Sequence, residues 1–140
     1  MNYLDTSLLT AYYCREPRSA RVQRILSRIE GPTISPLVEV EFYSTVARKV
    51  RVRDLDAIEA RRIFSQFQLH LAEPRYHIVP IHDTDYRVAK DWIGQLACPL
   101  RVLDAIHLAL AFAYDLCLQT ADRDLARSAK HFGVKHRLID

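Results

Sequence analysis

The sequence predicts a single three-layer α/β domain, with helices on both faces of a mainly parallel central sheet of about five short strands. Short β-branched or apolar segments alternate along the chain with longer segments whose apolar residues recur at helical spacing. Six prolines and three glycines punctuate these segments without forming a linker or a repeat. The composition, 49% hydrophobic and 26% charged over 140 residues, is typical of one domain at 1–140 that buries a core without disulfides or a structural metal.

Capping residues and helix breakers place the elements of the first half. Asp5-Thr6-Ser7 follows a short apolar start and suits the beginning of a helix. Gly31-Pro32 ends an amphipathic segment, and Ser35 before Pro36 is a good cap with proline at the first helical position. Asp54 opens a longer periodic run. The predicted elements are a strand at 3–4, helices after Asp5 and over 19–29, a strand over 33–35, and helices over 36–50 and 54–72.

The second half alternates in the same way. The segment from His77 to Ile81 is short and β-branched, which predicts a strand. The segment from Leu103 to Tyr114 is apolar nearly all round, as expected of a helix that is buried on most sides. Gly133 stops the last helix. The predicted elements are a strand over 77–81, helices over 83–96 and 103–114, a strand over 117–120, a helix over 122–132 and a strand over 134–139.

Charge and cysteine content restrict the setting in which the protein works. The formal charge of +3 is too mild to establish nucleic-acid binding on its own. No stretch free of Asp, Glu, Lys and Arg is longer than that from Ala105 to Tyr114, which is about half of the roughly 20 residues that a spanning helix needs. The chain has the acid Asp5, and no basic residue before Arg15, where a signal peptide would carry its basic region. Three widely spaced cysteines predict reduced thiols, so we expect a cytoplasmic protein without a membrane segment.

Acidic residues mark the place where chemistry is expected. In open α/β sheets the reactive crevice lies beyond the carboxyl ends of the strands. Asp5 ends the first predicted strand, and Asp122 follows the strand that finishes at Thr120. Asp104 and His107 are the strongly polar residues at the start of the apolar helix, where Asp104 is as well suited to capping as to catalysis.

The helix after Ser35 carries two competing acids. Glu39 and Glu41 are two residues apart and therefore point to different faces. Glu41 shares its stripe with polar Ser44 and Arg48, whereas Glu39 lies nearer the apolar stripe. The pattern favours Glu41 and leaves Glu39 as the alternative.

Four segments together resemble the PIN-domain ribonucleases, of the kind that serve as VapC-type toxins in toxin–antitoxin pairs. They occur in the order and at the spacing of that family, across nearly the whole chain. The segments are Tyr3-Leu4-Asp5-Thr6-Ser7, Ile34-Ser35-Pro36-Leu37-Val38-Glu39-Val40-Glu41, Leu103-Asp104-Ala105-Ile106-His107-Leu108-Ala109-Leu110-Ala111 and Leu118-Gln119-Thr120-Ala121-Asp122-Arg123-Asp124-Leu125-Ala126.

The resemblance implies a catalytic and metal-binding quartet with two hydroxyl neighbours. The quartet is Asp5, Glu41, Asp104 and Asp122, and the hydroxyl neighbours that would help to bind substrate are Thr6 and Thr120. Converging carboxylates repel one another, and Mg²⁺ or Mn²⁺ relieves this repulsion through oxygen ligands. Such an ion would activate a water against the phosphorus, so we expect a metal-dependent endoribonuclease with no covalent nucleophile. The resemblance also implies a homodimer and a small antitoxin whose C-terminal segment covers the acidic site.

Other features have both a functional and a structural interpretation. His107 is better explained as a hydrogen-bonded core histidine than as an acid, base or ligand. Asp124 is more typical of a helix cap than of an additional ligand. The segment from Arg48 to Arg62 holds six basic and three acidic residues, so Arg48, Lys49, Arg51 and Arg53 are either an RNA-binding rim or ordinary solvated surface. Tyr12 and Tyr13 would either stack on a base or pack against the sheet.

Two further function classes compete with the ribonuclease. A non-catalytic or housekeeping PIN-like RNA-binding protein would be indicated by loss of quartet acids, all of which are present. A phosphotransfer enzyme with an aspartyl intermediate would place its nucleophile at Asp5. Such enzymes usually carry an acid two residues further on, where this chain has Ser7, or a lysine after a later strand.

Overall fold

The computed structural model describes all residues from 1 to 140 and confirms the α/β class with a five-stranded sheet. Strands and helices alternate as the periodicity predicts. The strands are β1 (Asn2–Leu4), β2 (Thr33–Ile34), β3 (His77–Ile78), β4 (Cys117–Thr120) and β5 (His136–Leu138). The helices are α1 (Thr6–Tyr13), α2 (Ser19–Leu26), α3 (Pro36–Arg51), α4 (Ala57–Ala72), α5 (Asp83–Gly94), α6 (Val102–Ala113) and α7 (Arg123–His131).

The sheet is parallel throughout and has the order β3-β2-β1-β4-β5. The chain builds outward from β1 through β2 to β3, and then returns to the other side of β1 to form β4 and β5. This reversal makes the boundary between β1 and β4 a topological switch point, where crossover helices leave a crevice beyond the carboxyl ends of the strands. Leu4 pairs with Gln119, so Asp5 and Thr120 emerge side by side at that crevice.

Both faces of the sheet are covered. Tyr3 and Leu4 point to opposite faces because side chains alternate along a strand, and both are completely buried. Helix α6 is buried continuously from Ala105 to Ala111, as its all-round apolar composition predicts. A near-continuous apolar helix therefore carries Asp104 and His107 into the interior beside the crevice.

Several element boundaries differ from the sequence predictions. Helix α4 begins after Asp56 rather than at Asp54, because the Asp56 carboxylate and Glu59 form a reciprocal capping box. Ser35 stands at the cap of α3, but its hydroxyl bonds the Tyr3 hydroxyl instead of a helix amide. Gly133 ends α7 with a φ of +69°, a conformation in which a side chain would be strained.

None of the helices combines the length and the apolar character that crossing a membrane requires. The three cysteines are free thiols, and Cys14 is buried.

Candidate active site

Asp5 lies at the base of the crevice, where β1 ends and α1 begins. Its side chain is only 4% exposed. Oδ1 accepts hydrogen bonds from Ser7 Oγ at 2.5 Å and from the Leu8 amide at 3.4 Å, and Oδ2 accepts from Thr120 Oγ1 at 2.6 Å. Burial raises the pKa of the Asp5 carboxyl, and the hydrogen bonds from Ser7 and Thr120 oppose this rise. Asp5 is thus a rigidly oriented acid that water reaches poorly.

Thr120 joins Asp5 to Asp122. Its hydroxyl is buried at the end of β4, donates to Asp5 and accepts from the Asp122 amide at 2.9 Å. Asp122 in turn caps α7, because its Oδ1 accepts from the amides of Asp124 and Leu125 at 2.8 and 3.2 Å. This cap leaves the other oxygen, Oδ2, to face the crevice.

Arg101 connects Asp122 to Asp104. Its Nε donates to Asp104 Oδ2 at 2.9 Å, and its terminal NH2 lies 3.5 Å from Asp122 Oδ2. The hydrogen bond and charge of Asp104 raise the pKa of the guanidinium. The Arg101 side chain is 74% exposed, so a mobile surface cation reaches over two of the acids. Asp104 lies in the first turn of α6, where a negative charge meets the positive end of the helix dipole, but its side chain accepts no helix amide.

Glu41 lies on α3, and its carboxylate is held by hydrogen bonds from two side chains. Its Oε1 accepts from Thr6 Oγ1 at 3.0 Å and from His107 Nε2 at 2.5 Å. His107 is 2% exposed, and its Nδ1 lies 2.8 Å from the Tyr3 hydroxyl. The Tyr3 hydroxyl also bonds Ser35 Oγ at 2.8 Å, so the His107 ring is fixed at both nitrogens, between Glu41 on one side and Tyr3 on the other. His107 is hydrogen-bonded in the core, as predicted, and it also orients an acid.

The four predicted acids come from four separate places in the chain and meet at one crevice through these contacts. Asp5 and Asp122 share Thr120, Asp122 and Asp104 share Arg101, and Glu41 bonds Thr6 directly after Asp5. No three His, Cys, Asp or Glu side chains lie close enough together to hold a metal ion as they stand. One guanidinium contacts both Asp104 and Asp122, so these two carboxylates flank the same side chain. This all-oxygen donor set suits Mg²⁺ or Mn²⁺.

The competing acids lie outside this arrangement. Glu39 joins none of the contacts, and burial raises the pKa of its carboxyl. The exposed Asp124 carboxylate pairs with Arg127 on α7 instead of turning to the crevice. Between the two glutamates of α3, the structure brings Glu41 to the predicted site.

The predicted basic rim lies at the far end of α3. Arg48, Lys49 and Arg51 occupy its last turn, and Arg53 follows with a φ of +63°. Lys49 is 3.5 Å from Glu16, so one of these four charges is already paired. Tyr13 packs against Phe42 and Phe67 and bonds His70, away from the acids, which fits the packing interpretation of that residue.

A comparison with models of protein families decides the family. Residues 3–131 match the model of the PIN domain. The chain belongs to the PIN domain family. The match contains all four acids of the crevice and every strand except β5. A search of curated proteins by sequence found no match.

Solved structures share the fold of this PIN domain at low sequence identity. FitAcB from Neisseria gonorrhoeae has a TM-score of 0.75 and 18% identity, covering 97% of this chain and 96% of that one. VapC20 from Mycobacterium tuberculosis is a toxin that cleaves the sarcin–ricin loop. Its TM-score is 0.74 and its sequence identity 14%, and the match covers 91% of this chain and 95% of that one. VapBC2 from Rickettsia felis, bound to a DNA fragment from its promoter, has a TM-score of 0.71 and 16% sequence identity, and the match covers 100% of both chains. These likenesses confirm the fold over the full length.

Sequence reasoning missed two contacts within this PIN domain. Arg101 lies three residues before Asp104, a spacing that places two side chains on the same side of a helix start, and that signal was available. The bond from His107 to Glu41 joins residues 66 positions apart, and no local pattern indicates it. Long-range contacts of this kind appear only once the helices are packed.

Replacing Thr120 by Val should destabilise the PIN domain by about 1–3 kcal/mol, because the change leaves Asp5 Oδ2 and the Asp122 amide without their buried partner. Urea unfolding followed by circular dichroism measures this loss. Thr120→Ser keeps the hydroxyl and should be closer to the wild type. Equal stability of the Val and Ser variants would contradict the structural role of this hydroxyl.

Proposed function

We propose that this PIN domain is a Mg²⁺- or Mn²⁺-dependent endoribonuclease that acts in the cytoplasm as the toxin of a toxin–antitoxin pair. The observation that carries the proposal is the convergence of Asp5, Glu41, Asp104 and Asp122, from four elements, at the switch point of the sheet. A structural role alone would not require four acids in one crevice, since each carboxylate raises the cost of ionising the others. The same four positions match the quartet that the family resemblance implies.

The residues that would hold the metal are the four acids. When bound, the ion supplies Lewis-acid chemistry, which acidifies a water and offsets negative charge that develops on the phosphate. Asp5 gives a buried oxygen at the base, and Asp122 gives the oxygen that its helix cap leaves free. Asp104 contributes an oxygen that Arg101 now contacts.

The remaining residues of the crevice orient these acids. Ser7 and Thr120 fix the two oxygens of Asp5. Thr6 and His107 hold one oxygen of Glu41, which leaves the other to accept a proton or a ligand bond. Arg101 is exposed and flexible enough to exchange its carboxylate partners for a phosphate oxygen, where a guanidinium forms charge-assisted hydrogen bonds.

The competing function classes have less support in this geometry. An aspartyl-phosphate mechanism needs an accessible nucleophile, whereas Asp5 is buried and both of its oxygens accept hydrogen bonds from hydroxyl groups. A non-catalytic module has no use for a complete set of oriented acids. Neither alternative explains why His107 and Thr6 both hold Glu41.

The proposed partners follow from the same proposal. The Rickettsia felis VapBC2 structure is bound to a DNA fragment from its promoter, and the Mycobacterium tuberculosis protein is a toxin that cleaves the sarcin–ricin loop. A further structure with this fold, from Klebsiella pneumoniae, is a toxin–antitoxin complex. On this ground we expect an RNA substrate and an antitoxin for the present chain. The family resemblance adds the expectation that the C-terminal segment of a small antitoxin covers the acids, and that the chain forms a homodimer. Sedimentation of the purified protein measures the last of these.

Sequencing of RNA 5′ ends after brief expression tests the proposed activity in cells. The wild type should produce new 5′ ends at defined positions within minutes, and an Asp5→Asn control should not. Identical 5′ ends in the two samples would contradict the proposal. The positions of the new ends would also identify the target RNA.

Replacing Arg48, Lys49, Arg51 and Arg53 with Ala should weaken RNA binding and flatten its dependence on salt, because fewer counterions are released. We propose that these residues hold RNA beside the crevice. Binding titrations of single-stranded RNA at several salt concentrations measure the slope. An unchanged slope would assign these side chains to ordinary solvated surface.

A further inference from the structure

Four arginines converge on one cavity beside α2. Arg21, Arg24 and Arg28 follow one another along α2 and the turn after it, and Arg137 reaches the same place from β5. Together with Ile25 they line a cavity of about 410 Å³. All four arginines are exposed. We call this group the arginine cradle.

The cradle carries more positive charge than its one acidic neighbour, Asp140, can balance. Arg21 donates to the main-chain oxygen of Asp140 at 2.7 Å, and Arg24 to that of Ala20 at 3.3 Å. None of the four forms an ion pair with an Asp or Glu side chain, in contrast to Arg101, Arg123 and Arg127. Like charges held together with too few counter-charges repel one another, and a bound anion removes that cost.

The segment that forms the cradle is strongly basic. Five arginines stand against one acid, Glu16, between Arg15 and Arg28. Glu16 is already paired with Lys49. The local surplus therefore exceeds the formal charge of +3 of the whole chain.

The cradle is continuous with the acidic crevice. Arg18, at the cap of α2, donates to the carbonyl of Ala121 at 3.2 Å. Ala121 stands between Thr120 and Asp122, so the row of arginines starts at the wall of the crevice. From there α2 carries Arg21 and Arg24 along its axis, at 1.5 Å per residue, and Arg28 follows in the turn after the helix.

We propose that the arginine cradle binds the phosphodiester backbone of the RNA strand whose scissile bond lies at the acidic crevice. The choice of RNA rests on the proposed ribonuclease function. A row of cations suits a ligand with repeated negative charges, and guanidinium groups bind phosphate oxygens bidentately. Ile25 is the single apolar residue that lines the cavity, so the cradle lacks the apolar surface that a membrane or an apolar peptide would bury.

RNA binding in EDTA tests the site separately from cleavage. The probe is a fluorescent single-stranded 12-mer, and the measurement is the slope of log affinity against log salt. The variant Arg21→Gln, Arg24→Gln, Arg28→Gln should reduce the slope by about 2, since each phosphate contact on a single strand contributes about 0.7. The charge-matched control Arg87→Gln, Lys90→Gln, Lys130→Gln changes exposed residues of α5 and α7 and should leave the slope unchanged. Replacing the same three arginines by Lys should preserve it.

Cleavage assays then locate the cradle relative to the reacting phosphate. The Gln variant should raise KM for the 12-mer and leave KM for a dinucleotide unchanged, because a dinucleotide at the crevice is too short to reach Arg28. A slope equal to that of the wild type, or an equal loss in the α5 and α7 control, would overturn the inference. An altered slope in a chain that never cleaves RNA would keep the site and refute the proposed ribonuclease. Loss of binding to an acidic peptide with unchanged RNA binding would assign the cradle to a protein partner instead.

Discussion

Asp5→Asn, Glu41→Gln, Asp104→Asn and Asp122→Asn should each reduce RNA cleavage by about 100-fold or more. Each change removes a negative charge from the group that would hold the metal ion. Loss of residues that merely support metal ligands already costs about 10–100-fold, so loss of a ligand should cost at least as much. Initial rates on a fluorescent RNA at saturating Mg²⁺ measure the effect.

Glu39→Gln is the matched control for Glu41→Gln, because both changes remove one carboxylate from the same helix. Glu39 shares none of the hydrogen bonds that hold Glu41, so this variant should cleave RNA at nearly the wild-type rate. A larger loss for Glu39→Gln than for Glu41→Gln would mean that the opposite face of α3 serves the site. Variants that keep full activity at two or more quartet positions would refute the assignment of the quartet.

Expression of this chain alone should arrest growth, and co-expression with an antitoxin encoded beside it should restore growth. The chain's own Arg101 guanidinium contacts both Asp104 and Asp122, which is the kind of contact that we expect from an inhibiting antitoxin. An arginine supplied by a partner can pair with the same oxygens and compete with the metal ion. We therefore expect Mg²⁺ to raise the Tm of the free protein more than the Tm of the complex.

Two results would contradict this account of neutralisation. Growth that is indifferent to expression of the folded, metal-binding protein would indicate a housekeeping or non-toxic PIN nuclease. Equal Tm shifts with Mg²⁺ in the free protein and in the complex would exclude arginine competition, and would leave steric cover as the means of inhibition. The Asp5→Asn variant, expressed in parallel, controls for growth effects that do not need cleavage.

Local sequence patterns were sufficient to predict the fold because each pattern has a local cause. Ser35-Pro36 marks the start of α3, and Gly133 the end of α7, through backbone geometry that depends on few neighbours. The predicted start of α4 was wrong because two aspartates could cap this helix. Asp54 and Asp56 both precede its apolar repeat, and Asp56 is the cap because it exchanges reciprocal hydrogen bonds with Glu59.

The candidate site was less predictable because its contacts join distant parts of the chain. The positions of Asp5 and Asp122 follow from the rule that parallel strands end at one edge. The partners of Asp104 and Glu41 depend instead on how α6 packs against β1 and α3. His107 was correctly predicted to be hydrogen-bonded in the core, and its bond to Glu41 adds a role that periodicity does not contain.

Cleavage of single-stranded RNA by the purified protein, measured with and without divalent metal, tests whether this PIN domain is a metal-dependent ribonuclease. We expect cleavage with Mg²⁺ or Mn²⁺, complete loss in EDTA, recovery when excess Mg²⁺ is restored, and no cleavage by an Asp5→Asn preparation purified in the same way. Cleavage that continues undiminished in EDTA, or that persists in Asp5→Asn, would contradict this assignment.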